Sequence, residues 1–320
     1  MSDYIMDLVQ EQLPLVETRM RSISIDHNTE LEAAIDHLLS SGGKRIRPTV
    51  TLLSGGMLDS DEHKLITLAA AIEMLHTATL VHDDLIDGAL LRRGISTLNA
   101  RWSPAATVLT GDFMFARAAK LAAETENVQI IQQFADTLAT IVNGEIDQMF
   151  PGDGQISIEE YEKRIFAKTA SLFELATRAA GLLSPVDSDV VNDLALFGYD
   201  IGMAFQIIDD VLDFTSEQST VGKPVASDLR QGIITLPAIY FIEQNPEDKD
   251  MAHILSGNHY EESVMDRLVA SICESGAVDQ SLSKAQEFIE NSLIILSDMP
   301  DNAQRDALEQ LAKYVVDRTS

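Results

Sequence analysis

Apolar residues recur at intervals of three and four positions along most of this chain, as in Leu308, Leu311 and Val315 near its end. Such spacing lines one face of an α-helix, and the alternating β-branched residues typical of strands are nearly absent. The pattern predicts an all-α protein. We expect helices at roughly 3–24, 28–41, 46–58, 62–90, 104–123, 127–149, 158–182, 188–215, 232–243, 260–274 and 278–318, the last with breaks.

The segments between these helices are short. Residues 151–157, 184–189, 216–232 and 244–250 are rich in the polar, glycine and proline residues typical of loops. None is long enough to form a convincing linker, and 45% of the 320 residues are hydrophobic, which suffices for a large core. We therefore predict one all-α domain over residues 1–320.

The charge balance limits the possible partners. With 51 acidic and 23 basic residues the formal charge is −28, which repels phosphate backbones and argues against general nucleic-acid binding.

The one cysteine, Cys273, has no partner for an internal disulfide, which suits a reducing compartment, and we expect it to be buried. The first residues do not resemble a signal peptide, and no apolar run reaches the roughly 20 residues that span a bilayer. We expect a cytoplasmic protein without stable membrane insertion.

Three aspartates, Asp83, Asp84 and Asp87, interrupt the apolar segment VHDDLIDG. Asp83 and Asp87 are four residues apart and lie one turn from each other on one helix face, and His76 projects from a similar face. Carboxylates at this spacing suit Mg²⁺, which takes oxygen ligands and keeps waters and substrate phosphates in its shell. The alternative is a solvated acidic face.

A second motif of the same spacing favours the metal hypothesis. FQIIDDVLD places Asp209, Asp210 and Asp213 inside another apolar helix. Because buried carboxylates without counter-ions are strongly unfavourable, we expect the two motifs to face each other and to hold divalent ions between them. Gln206, three residues before Asp209, either directs its amide oxygen at a positive group or makes an ordinary buried hydrogen bond.

Two basic clusters, GGKRIRP at 42–48 and LRRG at 91–94, are local exceptions to the acidic composition. Lys44 and Arg47 stand three apart at the start of a helix, where free backbone N–H groups also favour anions. Arg92 and Arg93 directly follow the first aspartate motif. A diphosphate bound to metal on one side would present its other oxygens to such side chains. Taken singly, each cluster is more typical of a solvated loop.

These motifs, in this order, resemble those of the trans-type isoprenyl diphosphate synthases of the polyprenyl synthetase family. The similar segments are GGKRIRP at 42–48, EMLHTATLVHDDLIDGALLRRG at 73–94, GD at 111–112, KT at 168–169, FQIIDDVLD at 205–213, GKP at 222–224 and DLRQGIITLP at 228–237. The resemblance implies an all-α isoprenoid synthase fold with helices around a deep central cavity. It also implies a homodimer, with Mg²⁺ at the cavity mouth.

The resemblance further implies roles for individual residues. Isopentenyl diphosphate would be bound by Lys44, Arg47, His76 and Arg93. Arg92 would contact the allylic diphosphate. Metal ions would bridge this diphosphate to Asp83, Asp87 and Asp209, and the metal shells would be completed or supported by Asp84, Asp210 and Asp213. The departing diphosphate would be surrounded by Lys168, Thr169, Gln206 and Lys223.

The implied reaction begins when the allylic C–O bond breaks. The carbocation is attacked by the double bond of isopentenyl diphosphate, and a proton is then lost to the released diphosphate, so no dedicated protein base is required. Water must be excluded because it would quench the cation. Two positions depart from the family pattern: Ile233 follows Gly232 where many relatives have lysine, and Ala226 stands where glycine is common. We do not assign the phosphate contact of that lysine to this chain.

Small residues below the first motif bear on product length. Ala78 lies five residues before Asp83, about 7.5 Å along the helix axis, where bulky aromatic residues block the cavity in family members that stop early. Ala78 and Thr79 predict an open tunnel and a medium- or long-chain product, longer than C15 or C20. Small residues also permit close helix packing, and the tunnel floor could instead be set by Phe113, Met114, Phe134 or Met149.

Several alternatives remain at this point. The chain could be a shorter-chain geranylgeranyl or farnesyl diphosphate synthase, or a non-catalytic subunit of a heteromeric synthase, although such subunits tend to lose aspartates and all six are present. A class I terpene cyclase has no need of the GGKRIR segment. A phosphohydrolase using His82 and Asp83 would need further histidine ligands, and the seven histidines show no convincing arrangement.

Overall fold

The computed structural model describes residues 3–22, 29–40, 42–92, 94–150, 156–215, 225–256 and 260–318. The helices are α1 (Asp3–Val9), α2 (Gln12–Arg21), α3 (Thr29–Ser40), α4 (Ile46–Met57), α5 (Glu62–Ile86), α6 (Leu98–Arg101), α7 (Pro104–Ala123), α8 (Val128–Met149), α9 (Ile158–Ile165), α10 (Ser171–Leu182), α11 (Ser188–Thr215), α12 (Ser227–Arg230), α13 (Leu236–Gln244), α14 (Lys249–Leu255), α15 (Glu262–Glu274), α16 (Ala277–Ser297) and α17 (Ala303–Asp317). Two short antiparallel strands, β1 (Leu91–Arg92) and β2 (Ile95–Ser96), are the one sheet in the described ranges. The all-α prediction is confirmed.

Several boundaries differ from the predicted ones. The first helix is interrupted at residues 10–11, and the helix predicted at 62–90 ends at Ile86, shortly before Gly88, whose φ is +63°. A π-helical turn, Phe166–Ala170, divides the helix predicted at 158–182 into α9 and α10. The prediction that Cys273 is buried was wrong, because this side chain is exposed.

The chain forms two compact units. The first contains Met1–Ala139, Leu172–Gly198 and Asp298–Leu311, and the second contains Thr140–Ser171, Tyr199–Ser297 and Ala312–Ser320. The first aspartate motif therefore belongs to the first unit and the second motif to the second unit. That the whole chain folds as a single domain stays a prediction.

Helix α5 is the core of the first unit. The Asp61 carboxylate caps its start by accepting a hydrogen bond from the Lys64 N–H at 2.9 Å. The helix is apolar on nearly all sides, and Leu68, Ile72 and Leu75 are at most 1% exposed. Since a helix that is hydrophobic all round must be covered by protein or lipid, α5 packs against α2, α4 and α7.

The same helix qualifies as a membrane span by length and composition, which corrects the expectation that no apolar run is long enough. Most of its apolar stretch, 72%, is buried within the protein. Length and apolar composition are weak evidence for a span, because buried core helices share both properties.

In the second unit, α13 packs against α9, α15 and α16. The later half of α11 contributes Ile201, Ile207 and Ile208, which are fully buried. Helix α9 is capped at its start by Ser157, whose hydroxyl accepts a hydrogen bond from the Glu160 N–H at 3.2 Å. This cap and the buried face of α9 fix the position of Tyr161, a side chain 1% exposed that belongs to the candidate site.

Candidate active site

In the first unit, a buried ion pair shapes the GGKRIRP turn. Arg45 directly precedes α4 with a left-handed backbone, φ +46°. Its guanidinium binds the Glu73 carboxylate at 2.8 Å and the Leu39 carbonyl at 3.0 Å. Burial alone would lower the pKa of Arg45, but the carboxylates of Glu73 and Glu17 together outweigh this effect and raise the pKa. The pair ties the turn to α5 while Lys44, one residue earlier, remains exposed.

Arg47 and His76, both predicted to bind isopentenyl diphosphate, lie together. Nη1 of Arg47 lies 3.2 Å from Nε2 of His76. Because a guanidinium can only donate, His76 accepts this hydrogen bond through Nε2. The Arg47 guanidinium also lies 4.6 Å from the centre of the Phe173 ring, within the range of a cation–π contact. These contacts orient Arg47 while leaving it half-buried.

The first motif divides its aspartates by environment. Asp84 is 6% exposed and accepts a hydrogen bond from Arg92 Nε at 2.8 Å. Asp83 is half-buried, and Asp87, at the end of α5, is exposed. Asp84 therefore attaches β1 to α5, and Asp83 and Asp87 present the more accessible carboxylates. In this structure Arg92, predicted to contact the allylic diphosphate, is the counter-ion of Asp84.

His82 connects this motif to the GD pair on α7. Its Nε2 lies 3.2 Å from the Val108 carbonyl and 3.6 Å from Asp112 Oδ1. A Cβ atom at Gly111 would lie 2.2 Å from the same nitrogen. Any side chain at position 111 would require His82 to move, and glycine lets α7 approach α5 with His82 in this position. His82 acts as a packing contact next to Asp83, and its surroundings offer no support for the phosphohydrolase alternative.

The two residues predicted to control chain length are packed inside the first unit. Ala78 is fully buried. Thr79 is half-buried and donates its hydroxyl hydrogen to the His76 carbonyl at 2.8 Å. The small size of both side chains is compatible with either an adjacent tunnel or close helix packing.

In the second unit, Asp210 is the centre of a buried hydrogen-bond network. Its carboxylate accepts hydrogen bonds from the Tyr161 hydroxyl at 2.7 Å and from Gln206 Nε2 at 2.8 Å. The Gln206 amide oxygen accepts a third bond, from the Thr169 hydroxyl at 2.6 Å. Burial raises the pKa of Asp210 to about 7, although the bonds from Tyr161 and Gln206 act in the opposite direction. Gln206 thus makes buried hydrogen bonds within the protein, and its amide oxygen accepts from the Thr169 hydroxyl.

Asp213 organises the backbone at the start of α12. Its carboxylate accepts hydrogen bonds from the Ser227 hydroxyl at 2.8 Å and from the Asp228 N–H at 3.1 Å, and its carbonyl accepts one from the Ala226 N–H at 2.7 Å. Ala226, at a position where the family commonly has glycine, adopts φ +55°. Asp213 therefore supports the motif through its neighbours.

Asp209 has a different environment. Its side chain is 40% exposed, and Oδ1 lies 3.0 Å from Nη2 of Arg318. Its carboxylate is therefore more accessible than that of the adjacent Asp210, which is 4% exposed. Nothing in the FQIIDDVLD segment indicates that a residue so far along the chain would be its counter-ion.

Lys168 and Thr169 lie in the π-helical turn. Thr169 is 6% exposed and points its hydroxyl at Gln206, whereas Lys168 is exposed and pairs with Glu145 at 3.1 Å. A Cβ atom at Gly144 would lie 2.6 Å from the Ala167 Cβ, so glycine allows α8 to contact this turn. Single π-helical turns are frequent at functional sites. Arg93 and Lys223, also predicted as ligands, lie outside the described residues.

The accessible carboxylates of each motif, taken within its own unit, are of the type that a hard divalent cation prefers. Within the ranges that the structure describes, no three or more His, Cys, Asp or Glu side chains converge to enclose a metal. Mg²⁺ commonly binds through one or two carboxylates and completes its shell with waters and phosphate oxygens. Such carboxylates are provided by Asp83 and Asp87 in the first unit and by Asp209 in the second unit, because the buried Asp84 and Asp210 are already bound by protein groups.

Sequence reasoning missed Tyr161, Glu145 and Arg318. Tyr161 is 49 positions from Asp210, and helical periodicity specifies a face but not the partner packed against it. Glu73 was detectable as a charged residue within the apolar α5 sequence, although its pairing with Arg45 was not.

Comparisons with known proteins agree with the motifs. Residues 28–272 match the polyprenyl synthetase family. Component 2 of the heptaprenyl diphosphate synthase of Bacillus subtilis is 34% identical over 309 residues, covering 96% of this chain and 88% of that protein. The octaprenyl diphosphate synthase of Escherichia coli is 34% identical over 288 residues, 88% of each chain.

A solved structure shares both sequence and fold. The polyprenyl synthase of Caulobacter crescentus, crystallised with calcium and isoprenyl diphosphate, is 33% identical and superimposes with a TM-score of 0.92 over 99% of this chain and 98% of that one. This match confirms the predicted isoprenoid synthase fold. The family match, the relatives and the shared fold together show that this chain belongs to the polyprenyl synthetase family.

Proposed function

We propose that this protein is a trans-polyprenyl diphosphate synthase that uses Mg²⁺ to condense isopentenyl diphosphate with an allylic diphosphate, giving a medium- or long-chain product. Membership of the family makes the chain a prenyltransferase. The relatives reported above make hepta- and octaprenyl diphosphates, as their names state.

One observation carries the assignment of the site. In both motifs the second aspartate is buried and bound by protein groups: Asp84 by Arg92, and Asp210 by Tyr161 and Gln206. The first aspartate, Asp83 or Asp209, is more accessible in each case. This shared division of roles is the arrangement expected of metal ligands held in place by structural neighbours.

The side chains of this protein would then divide the chemistry. Lys44, Arg47 and His76 bind isopentenyl diphosphate, and Arg47 is held in position by His76 and Phe173. Lys168 lies in the π-helical turn, and its charge stabilises the departing diphosphate. A bound divalent metal supplies Lewis-acid stabilisation of the same leaving group. The proton released after the new C–C bond forms is taken by the free diphosphate.

The test is to incubate the purified chain alone with farnesyl or geranylgeranyl diphosphate, labelled isopentenyl diphosphate and Mg²⁺, and to size the dephosphorylated products. We expect elongation beyond C20. Products that stop at C15 or C20 would favour the shorter-chain alternative. Hydrocarbon released from the allylic diphosphate alone would indicate a terpene cyclase. Complete inactivity would favour a subunit that requires a different partner, an alternative suggested by the relative named component 2.

The proposed assembly is a homodimer in the cytoplasm. Helix α8 carries exposed apolar side chains at Val128, Ile131, Val142 and Ile146, which are 39–69% exposed. Apolar residues at helical spacing on an accessible face are typical of protein–protein interfaces. A second copy of the chain would remove them from water.

Product length is expected to fall when Ala78 is replaced by phenylalanine. If Ala78 borders the tunnel, the ring would occupy space needed by the growing chain. Since Ala78 is fully buried, the larger side chain is also expected to cost about 1–3 kcal/mol of stability. The measurement is the product distribution at a temperature at which the variant remains folded.

The matched control is Ala69→Phe. Ala69 is as buried as Ala78 and lies in the same helix, α5. It is nine residues before Ala78, which places it on the opposite side of the helix, about 180° away. Ala69→Phe should lose stability without shortening the products. Equal product lengths for both variants would assign Ala78 to helix packing and place the tunnel floor elsewhere.

A further inference from the structure

Arg318 is a built-in counter-ion of the second motif. This residue follows α17 directly, and its Nη2 lies 3.0 Å from Oδ1 of Asp209. The Arg318 side chain is only 12% exposed, whereas that of Asp209 is 40% exposed. The positive charge therefore lies on the protein side of a carboxylate that faces solvent.

Contacts other than Asp209 also hold the guanidinium in place. Its central carbon lies 4.2 Å from the centre of the Phe205 ring, within the range of a cation–π contact. Nη2 donates to the Phe205 carbonyl at 3.4 Å, and Nε donates to the Val315 carbonyl at 3.3 Å. A guanidinium that is stacked and bound in this way is a fixed charge, unlike that of a mobile surface arginine.

We propose that Arg318 is a positioning residue that neutralises Asp209 in the metal-free enzyme and weakens binding of a divalent cation there until a diphosphate is present. The inference rests on the proposed function, in which Asp209 is a metal ligand. It adds an order of binding: the second motif takes up metal together with the diphosphate.

Electrostatics decides the direction of the effect. A guanidinium next to a metal ligand repels a divalent cation about twice as strongly as it would a monovalent one, since Coulomb energy scales with charge. Arg318 also orients Asp209, which favours metal binding, but an aspartate side chain has few torsions to order. The repulsion of the cation therefore outweighs the benefit of orienting the carboxylate. A diphosphate is multiply charged and offsets this repulsion when the two bind together.

The experiment measures Mg²⁺ binding by calorimetry in an Asp83→Asn/Asp87→Asn background, so that the titration reports the second motif. Two proteins are compared in this background: one that also carries Arg318→Gln and one that keeps Arg318. Each is titrated with and without inorganic pyrophosphate. We expect Arg318→Gln to bind Mg²⁺ alone about tenfold more tightly, equivalent to about 1.4 kcal/mol. With pyrophosphate present, the difference should shrink to about twofold.

Arg305→Gln is the matched control. Arg305 lies on α17 and pairs with Asp301 at 2.6 Å, so its replacement removes the same charge from a different ion pair. Its Mg²⁺ affinity should equal that of the background. Phe205→Leu, which removes the ring under the guanidinium but keeps the charge, should tighten Mg²⁺ binding by a smaller factor, about threefold, and provides a second test if Arg318→Gln unfolds.

The two proposals can fail separately. If the native chain binds no Mg²⁺ even with pyrophosphate, the metal site of the proposed function is wrong. If the native chain binds Mg²⁺ with pyrophosphate, but Arg318→Gln and Phe205→Leu bind Mg²⁺ alone no more tightly than the background, the role of Arg318 is overturned and the proposed function stands.

Discussion

Replacing Asp83 with asparagine is expected to lower kcat by roughly 10²–10³, the range typical when one preorganised electrostatic contact to a developing negative charge is removed. Asparagine has the same shape but lacks the charge that would hold the metal. Asp83 is half-buried and lies beside the packed His82, so the neutral variant should keep its fold. Initial rates over a range of Mg²⁺ concentrations, together with the thermal unfolding temperature, provide the measurement.

The control is Asp279→Asn, which makes the same chemical change at an exposed position near the start of α16. Its kcat should stay within about twofold of the native value, because surface substitutions of this kind have small effects. If Asp83→Asn kept nearly full activity at low Mg²⁺, the first motif would not be a metal site. A loss of activity accompanied by a large fall in unfolding temperature would instead assign Asp83 a structural role.

Helical periodicity predicted most of the architecture. The helix predicted at 188–215 is α11, residue for residue, and the one predicted at 104–123 is α7. In both cases the sequence supplies an apolar stripe. For α7 it also supplies a cap, since the Ser103 hydroxyl accepts a hydrogen bond from the Ala106 N–H and Pro104 opens the helix. Local chemistry and burial agree there, which is why the boundaries could be read.

The π-helical turn at Phe166–Ala170 could not be predicted from helical periodicity. Its sequence, FAKTA, contains no helix breaker. Its geometry coincides with a contact made from another part of the chain, since α8 approaches Ala167 at Gly144. The conformation of Lys168 and Thr169 is thus associated with packing between segments far apart in sequence, which a periodic pattern does not encode.

The candidate site shows the same division between what the sequence specifies and what packing adds. Spacing identified the aspartates and their shared face. It did not distinguish Asp83 from Asp84, or Asp209 from Asp210, because adjacent residues on a helix differ only in the direction in which they point. The distinction comes from Arg92, Tyr161 and Gln206, which bind the inward-facing member of each pair.

The ion pair between Arg45 and Glu73 gives the largest expected effect on stability. The side chains are 13% and 8% exposed, and the atoms in contact are 2.8 Å apart. Replacing one partner of a buried ion pair typically costs about 3–5 kcal/mol of unfolding free energy. We expect Glu73→Ala to fall at the low end, about 3 kcal/mol, because the half-exposed Glu17 carboxylate, 3.2 Å from the Arg45 guanidinium, still offsets part of its charge. The measurement is chemical denaturation at neutral pH. Glu62→Ala, at an exposed position in the first turn of the same helix, loses only an exposed hydrogen bond from Gln12 and a favourable helix-end charge, and should change the unfolding free energy by about 1 kcal/mol or less.

The same change is expected to affect substrate binding. Lys44 and Arg47 flank Arg45, so loss of the pair should loosen the turn and raise the KM for isopentenyl diphosphate more than it lowers kcat. The double variant Arg45→Met/Glu73→Leu removes both charges, and apolar replacements of a buried ion pair are often tolerated. It should therefore recover much of the lost stability while the KM remains high, because the attachment between the turn and α5 is still missing. If the double variant were as unstable as Glu73→Ala, the loss would come from disrupted packing, and the buried Arg45 charge without its Glu73 partner would not be its cause.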